Sequence, residues 1–288
     1  MTSPKLVDQN NTWTTILRPK RGIFDLRLRE VWSARDLIML FVQRDFVSVY
    51  KQTILGPVWY LIQPLLTTIV FTIIFGRIAG LPTDGLPPFL FYLSGTVIWS
   101  YFAATLTKTS DTFISNANLF GKVYFPRLAV PLSISISNLV SFSIQFLLFL
   151  AFTVYFWMQG ANVQPNLWVL LTPLLLLLMA GMGLGGGIIV SSLTTRYRDL
   201  RFLVGFGTQL LMYATPVIYP VSAVPEQLQP LIELNPLTPI VESFRYAYLG
   251  SGTVNIYNLL YSLIWTISLL LIGIVIFNRV EATFMDTV

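Results

Sequence analysis

The sequence predicts an all-α integral membrane protein with six transmembrane helices, an N-terminal amphipathic interface helix, and short re-entrant helices between the fifth and sixth spans. Of its 288 residues, 55% are hydrophobic and only 11% are charged, which is more apolar surface than a soluble domain of this length can bury. A helix needs about 20 uncharged residues to cross a bilayer. Windows without Asp, Glu, Lys or Arg cover residues 52–76, 85–107, 128–195, 202–225 and 246–278.

The N-terminal part divides into a tail and a helix. Residues 1–33 are polar and are expected to form a cytoplasmic tail without a cleaved signal peptide. Residues 34–56 form the amphipathic interface helix, which Gly56-Pro57 ends. Its apolar face consists of Ile38, Val42, Phe46 and Val49. We predict that this helix lies in the cytoplasmic membrane interface; the alternative is that it packs on other protein.

The six spans form one transmembrane domain, 57–278, followed by a C-terminal tail, 279–288. The 128–195 window holds two of them, because polar turn residues at 159–166 interrupt it. An even number of spans places both termini on one side, and that side carries 16 of the 18 Lys and Arg residues. The positive-inside rule makes it the cytoplasm. The predicted spans are 57–77, 87–107, 129–157, 167–193, 202–220 and 257–278.

The net charge of +5 follows from this topology. It indicates juxtamembrane anchoring near anionic membrane lipids, and no nucleic-acid partner is expected.

The external segment 222–249 is rich in proline yet retains apolar residues. Thr238 and Pro239 suit the N-cap and first turn of a helix, and Gly250 can end it. We predict two short helices that re-enter the outer leaflet, with a plain external amphipathic loop as the alternative. Glu242 and Arg245, at i and i+3, can pair or contact a substrate. The candidate residues of this segment are Pro236, Pro239, Glu242 and Arg245.

Catalytic equipment is missing from the sequence. It contains no histidine and no cysteine, and it lacks the GxxxxGK[ST], GxSxG and HExxH motifs. A membrane enzyme acting on lipid-linked sugars, such as a glycosyltransferase or polymerase, would need carboxylates or histidines near the membrane surface. An ion-coupled transporter would need ionisable groups at mid-membrane depth. No catalytic residue and no metal site is predicted, because the loop carboxylates are scattered: Asp84, Asp111, Asp199, Glu226, Glu233 and Glu242.

Aromatic side chains with neutral polar neighbours run along the spans. Sugar rings stack on aromatic faces while their hydroxyls bond to amides and hydroxyls, so these residues are candidates for lining a glycan channel; the alternative is the aromatic belt at membrane surfaces. The candidates are Trp59, Tyr60, Tyr92, Trp99, Tyr101 and Tyr213.

The glycine run 181–187 contains two GxxxG spacings, 181/185 and 183/187. Such spacing favours close packing of helices, and the alternative is a pliable point in the fourth span.

Two short cytoplasmic loops, 115–127 and 195–201, carry charged residues and residues that favour turns. The first also carries Leu119, Phe120, Val123, Tyr124 and Phe125, which are too apolar for a loop left in water. We therefore predict a docking surface for another protein, against the alternative of a solvated connector. The candidate contacts are Asn118, Phe120, Lys122, Tyr124, Arg127, Arg196, Tyr197, Arg198 and Asp199.

Four stretches, in this order around six spans, resemble the permease subunits of ATP-binding-cassette (ABC) exporters for O-antigen and related polysaccharides, including teichoic acids. They are residues 44–59, 116–127, 196–200 (Arg-Tyr-Arg-Asp-Leu) and 234–245, which begins Leu-Asn-Pro-Leu-Thr-Pro. The resemblance covers about residues 40–288 and leaves 1–33 outside it. A permease of the same superfamily that exports drugs or lipids would share this topology and remains an alternative.

The resemblance implies a homodimeric channel in the cytoplasmic (inner) membrane. It also implies two separate ATPase subunits that dock on the cytoplasmic loops, so that ATP and Mg belong to those partners and this chain carries no cofactor. The coupling elements would be 116–127 and 196–201, and the external re-entrant helices 222–249. The implied substrate is a glycan carried on a polyprenyl pyrophosphate lipid, as in lipopolysaccharide biosynthesis.

Overall fold

The computed structural model of the chain describes residues 28–51, 56–120, 122, 125–195, 197 and 199–284. Expectations for most of the two tails therefore lie outside the described residues. The described part is helical and contains no strand, which confirms the all-α class.

The α-helices are α1 (Leu28–Ser33), α2 (Arg35–Lys51), α3 (Trp59–Phe71), α4 (Pro88–Ser110), α5 (Thr112–Ser115), α6 (Ala117–Phe120), α7 (Ala129–Met158), α8 (Thr172–Thr194), α9 (Leu200–Tyr213), α10 (Gln229–Glu233), α11 (Thr238–Leu249) and α12 (Ile256–Phe284). Short 3-10 helices precede α3 at Gly56–Val58 and α8 at Leu167–Leu171, and a third lies at Val221–Ala223. Residues Thr72–Ile78 continue α3 as a π-helix.

Five helices are long and apolar enough to cross a membrane. They are Trp59–Ile78, Pro88–Ser110, Ala129–Met158, Leu167–Thr194 and Ile256–Val280, and they coincide with five of the six predicted spans. The predicted fifth span differs, because α9 ends at Tyr213 after 14 residues. That length is about 21 Å, against roughly 30 Å of hydrocarbon. Pro216 and Pro220 explain the early end, since proline and the residue before it disfavour helical backbone.

The centre of the bundle is α8, which packs between α4 and α12. Its glycine run has two faces. A Cβ at Gly185 would lie 2.8 Å from the backbone of Leu269 in α12, whereas one at Gly187 would lie 2.5 Å from Cβ of Thr109 in α4. Gly181 faces α12 and Gly183 faces α4 in the same way. The packing interpretation of the two GxxxG spacings is confirmed, and each spacing serves a different neighbouring helix.

A second hydrophobic cluster closes one end of the bundle. Its buried members include Phe41 of α2, Phe113, Phe120, Phe125 and Phe277 of α12. The rings of Phe113 and Phe277 stack with centroids 4.6 Å apart, and those of Phe41 and Phe125 meet edge to face at 5.6 Å. This cluster therefore fastens α2 and the segment after α4 to the ends of the long helices.

The predicted apolar face of the interface helix packs on the chain itself. In α2, Val42 is buried and Ile38 and Phe46 are half-buried, and the helix lies against α7. The side chain of Val49 is outside the described residues. Packing on protein, the alternative weighed from the sequence, therefore accounts for this face, while Met39 and Leu40 remain exposed on the other flank.

The segment between α9 and α12 contains the two predicted short helices, α10 and α11. Helix α11 is enclosed in the bundle, since eleven of its twelve residues are buried, all but Tyr246. Gly250 ends it in a left-handed conformation, φ 78°, as predicted. Thr238 is not the N-cap, because Leu237 holds that position and the Thr238 hydroxyl donates to the carbonyl of Ile232.

Helices α3 and α9 pack loosely by comparison. Helix α3 buries only Pro64 and Thr68, and α9 buries only Thr208. Both present large apolar side chains outward, such as Leu66 and Phe202, which is 81% exposed. These two helices form the periphery of the single chain.

Candidate functional site

The most developed concave site is a groove between α2, α3, α4 and α7. It consists of two adjoining cavities, one of about 520 Å³ and one of about 500 Å³. We call the first the polar cavity; its lining includes Arg44, Asp45, Ser48, Asp111, Ser115, Asn116 and Ser137. We call the second the aromatic cavity; its lining includes Gln63, Thr67, Trp99, Ser100, Tyr101, Phe142 and Gln145. Tyr60, Lys108 and Asn138 line both.

Polar side chains of α4 and α7 satisfy one another along the groove. Ser100 donates to Oε1 of Gln145 at 2.6 Å. About two turns further along α4, Lys108 donates to Oδ1 of Asn138 at 2.9 Å, and the Asn138 amide donates to Thr105 at 3.3 Å. Asn138 and Gln145 are seven residues apart in α7, so they lie on one face of that helix. Hydrogen bonds of this kind hold polar groups inside apolar bundles.

The charges of the polar cavity are paired unequally. Asp45 accepts from Arg44 at 2.8 Å, and Asp111 lies 3.2 Å from Arg201. Lys108 instead has a neutral amide partner, and no described carboxylate lies within 4.0 Å of its Nζ. The cavity therefore offers one cation that is not neutralised by a direct ion pair.

Three of the six predicted channel-lining aromatics meet at this groove: Tyr60, Trp99 and Tyr101. Trp59 and Tyr213 are exposed, at 48% and 44% of their surface, on the peripheral helices α3 and α9. Tyr92 is fully enclosed in the main hydrophobic core against Phe91. The ring of Tyr92 therefore fills the core of the chain and does not line the groove.

The predicted docking residues divide by burial. Phe120 is 2% exposed and Arg127 is 9% exposed. The guanidinium of Arg127 lies 5.5 Å from the centre of the Phe120 ring. Phe120 and Phe125 belong to the end cluster described above. Burial within the chain explains their apolarity, which therefore does not support a docking surface, and docking on these loops stays a prediction.

Other members of the predicted docking set remain at the surface: Lys122, Tyr197 and Asp199. Tyr124, Arg196, Arg198 and the side chain of Asn118 lie outside the described residues.

Three contacts join the segments at the ends of α4 and α8. Besides the Asp111–Arg201 ion pair, the backbone N–H of Phe113 donates to Ser191 at 3.2 Å, and Thr194 donates to the carbonyl of Ser110 at 3.4 Å. The partners are about eighty residues or more apart in the chain, so no local pattern in the sequence indicates them. We call this set the loop brace.

Arg245 and Glu242 form a buried pair at the other end of α4. Arg245 is 1% exposed and donates to Glu242 at 3.0 Å and to the carbonyl of Pro216 at 2.9 Å. Its guanidinium carbon lies 3.9 Å from the centre of the Phe91 ring. Burial raises the pKa of the Glu242 carboxyl, and the charge of Arg245 opposes that shift. The pair that the i, i+3 spacing predicts is thus present and enclosed.

The prolines of this segment also have internal contacts. Pro239 is buried in the first turn of α11, and the carbonyl of Pro236 accepts from Ser262 of α12 at 2.7 Å. Among the described residues, no group of three or more acidic side chains could hold a metal ion.

Comparison with known proteins identifies the family. Residues 36–249 match the ABC-2 type transporter family. The chain is 30% identical over 252 residues to an O-antigen export system permease protein of Klebsiella pneumoniae, covering 87% of this chain and 94% of that protein. It is 26% identical to the protein of that description from Myxococcus xanthus, over 76% and 82% of the two chains. The polysialic acid transport protein of Escherichia coli is 23% identical, over 85% and 93%. With a match that spans most of its length, this chain belongs to the ABC-2 type transporter family.

Proposed function

We propose that this chain is the membrane permease subunit of an ABC transporter that exports a lipid-linked polysaccharide, such as O-antigen or a related glycan, across the cytoplasmic membrane. The observation that carries the proposal is the similarity, over 87% of the chain, to a permease protein of O-antigen export. The capsule polysaccharide export protein of Neisseria meningitidis is also similar, at 22% identity over 88% of the chain.

The groove is suited to a glycan. In the aromatic cavity, Tyr60, Trp99 and Tyr101 offer faces for the C–H surfaces of sugar rings. Gln63 and Gln145 offer amide groups to sugar hydroxyls. Hydrophobic drugs would not use these amides, which favours a glycan over the drug-exporter alternative.

The proposed topology has six crossings, with α9 and the turns up to Pro220 together forming the fifth. Both termini and the loop brace lie on the cytoplasmic side, in accord with the positive-inside rule, and α10 and α11 re-enter the outer leaflet. The irregular backbone after α9 is tolerated because it is buried in protein. For example, Arg245 donates a hydrogen bond to the carbonyl of Pro216.

We infer that a second copy of the chain covers the peripheral helices. Helices α3 and α9 bury only Pro64, Thr68 and Thr208 against the rest of the chain, so most of their surface is left for a partner. Two such copies would enclose the channel. Two ATPase subunits, carrying ATP and Mg, would dock where Lys122, Tyr197 and Asp199 are exposed.

The proposed mechanism begins when ATP draws the two ATPases together. Their movement shifts the docked loops, and the loop brace carries that displacement from the segment after α4 to the start of α9. The spans then part to admit the glycan, whose sugars slide along the aromatic cavity, and ATP hydrolysis resets the transporter.

The first test is depletion of the chain in its host. Lipid-linked polysaccharide is labelled on intact cells and, separately, after lysis. We expect loss of surface label with accumulation inside, reversed when the wild-type gene is restored. An unchanged distribution of the glycan would refute polysaccharide export and favour a drug or lipid as the exported substrate.

A further inference from the structure

Lys108 occupies an unusual position at the junction of the two cavities. It lies in the last turn of α4 and is exposed to the groove, where it lines both the polar and the aromatic cavity. A lysine near the end of a membrane helix ordinarily extends to the lipid headgroups. The amino group of Lys108 is instead held against Asn138 of α7 at 2.9 Å.

Asn138 is itself positioned for this contact. Its amide donates to Thr105 of α4 at 3.3 Å, which fixes its carbonyl oxygen toward Lys108. One of the three donor protons of Lys108 is used in this bond, and a lysine ammonium has no acceptor function. Donor capacity therefore remains at the point where the two cavities meet.

The polar cavity contains both acidic and donor groups. The carboxylates of Asp45 and Asp111 face it, each in an ion pair with an arginine, Arg44 and Arg201, and the buried Oδ1 of Asp111 accepts no hydrogen bond from the described residues. Ser137, on α7, lines the cavity with a buried hydroxyl that has no hydrogen-bond partner in the described chain. Buried polar groups without partners are uncommon in folded proteins. Lys108 interacts with Asp45 through space but has no direct ion pair, and it lines the same cavity as the unused Ser137 hydroxyl, so both groups can donate to phosphate oxygens.

We propose that Lys108 and Ser137 bind the phosphate group of a membrane amphiphile. The phosphate occupies the polar cavity, and the group attached to it reaches the aromatic cavity beside Tyr60. Two sources share this chemistry: the phosphate of an isoprenoid-linked glycan and the headgroup of an anionic phospholipid. Assignment to the glycan lipid rests on the proposed function, whereas the phosphate site does not.

The test measures binding of tritiated farnesyl pyrophosphate and of farnesol, which lacks phosphate. The complete transporter, with its ATPase partner, is placed in phosphatidylcholine nanodiscs. We expect Lys108→Gln to weaken farnesyl pyrophosphate binding about tenfold, the equivalent of one lost charge-assisted contact. Lys108→Arg should restore most of the affinity, and farnesol binding should not change. The matched control is Arg279→Gln, which removes one positive charge from an exposed position near the end of α12.

Equal affinity of wild type and Lys108→Gln for farnesyl pyrophosphate would overturn the proposal. A parallel loss of farnesol binding would also overturn it, because the substitution would then have altered the groove as a whole. Displacement of the probe by phosphatidylglycerol as effectively as by unlabelled farnesyl pyrophosphate would assign the phosphate site to bilayer lipid. Weak displacement would assign it to the isoprenoid.

Refutation of the phosphate site can be distinguished from refutation of glycan export. Surface glycan in cells that carry Lys108→Gln reports on export. If wild-type cells export glycan while the variant retains both export and probe binding, the phosphate site is refuted and export stands. If depletion leaves surface glycan unchanged but Lys108 governs probe binding, export is refuted and the phosphate site stands.

Discussion

A cation lies at each end of α4 within the apolar bundle, and the two cations differ in burial and in their partners. Arg245 packs against the first turn of α4, is 1% exposed, and is surrounded by a carboxylate, a backbone carbonyl and an aromatic ring. Lys108, in the last turn, is exposed to an open groove and has one neutral partner. They are separated along α4 by about 25 Å, from Phe91 to Lys108.

This difference separates structure from binding. A buried charge is tolerated when it is paired and hydrogen-bonded, and a site of that kind has no capacity left for a ligand. Arg245 is paired with Glu242, and although its Nε has no hydrogen-bond partner among the described residues, the side chain is 1% exposed and closed to a ligand, so we assign it to the fold. Lys108 keeps both access and unused donors, so we assign it to ligand binding. Both residues are cations, and what distinguishes them is access and the charge of the direct partner: Arg245 is buried against a carboxylate, whereas Lys108 is exposed and bonded to a neutral amide.

The largest expected effect is at the enclosed end. Arg245→Met leaves Glu242 buried without its partner, and breaking a buried pair from one side costs about 3–5 kcal/mol. We expect a correspondingly large loss in the free energy of unfolding, measured by denaturation of the purified protein in detergent. The double variant Glu242→Gln/Arg245→Met should recover part of the loss, because it leaves no uncompensated charge.

Arg77→Met is the control for this experiment, because Arg77 is an exposed arginine at the end of the first span. It should change the unfolding free energy little. Equal effects of Arg77→Met and Arg245→Met would show that enclosure does not set the role of the arginine, and the contrast between the two ends of α4 would fail.

A smaller effect on stability is expected where α4 packs against α8, one residue from Lys108. A Cβ at Gly187 would lie 2.5 Å from Cβ of Thr109 and 2.9 Å from the carbonyl oxygen of Leu106. Gly187→Ala should therefore cost about 1–3 kcal/mol of stability through overpacking. At the adjacent Gly186 the added carbon meets only the end of the Leu106 side chain, at 3.0 Å. Gly186→Ala should cost less, and the reverse order would contradict the packing described.

Much of the fold follows from sequence because the signals are local. Four of the five charge-free windows, one of them divided by the polar interruption at 159–166, locate the five long helices, and the GxxxG spacings of 181–187 indicate close packing. Helix α9 is shorter than predicted because its hydrophobicity continues past Tyr213 while Pro216 already prevents helix. Hydropathy alone does not show where within an apolar stretch the helix ends.

The groove could be predicted only in part. Aromatic residues with polar neighbours indicated Tyr60, Trp99 and Tyr101, but the same reasoning included Tyr92, which fills the core. In the sequence, Lys108 is one of the 16 Lys and Arg residues that the positive-inside rule places on the cytoplasmic side. Its role depends on Asn138, which lies on a different helix thirty residues away. Contacts between distant residues leave no periodic signal, and for that reason the loop brace was also missed.

The smallest expected effect on stability is at the loop brace, and it tests whether an exposed ion pair near the open end has a role in coupling. Asp111 and Arg201 are partly exposed, at 22% and 54% of their side chains, so the pair contributes at most about 1 kcal/mol. Asp111→Arg should leave unfolding nearly unchanged but reduce glycan exported per ATP hydrolysed, by no more than about fivefold on the same energy scale. The charge-swapped double variant Asp111→Arg/Arg201→Asp should restore the ratio, because it re-forms the attraction with its direction reversed. A double variant as impaired as the single one would mean that the pair does not transmit movement between the two segments, and that the open end of α4 serves binding alone.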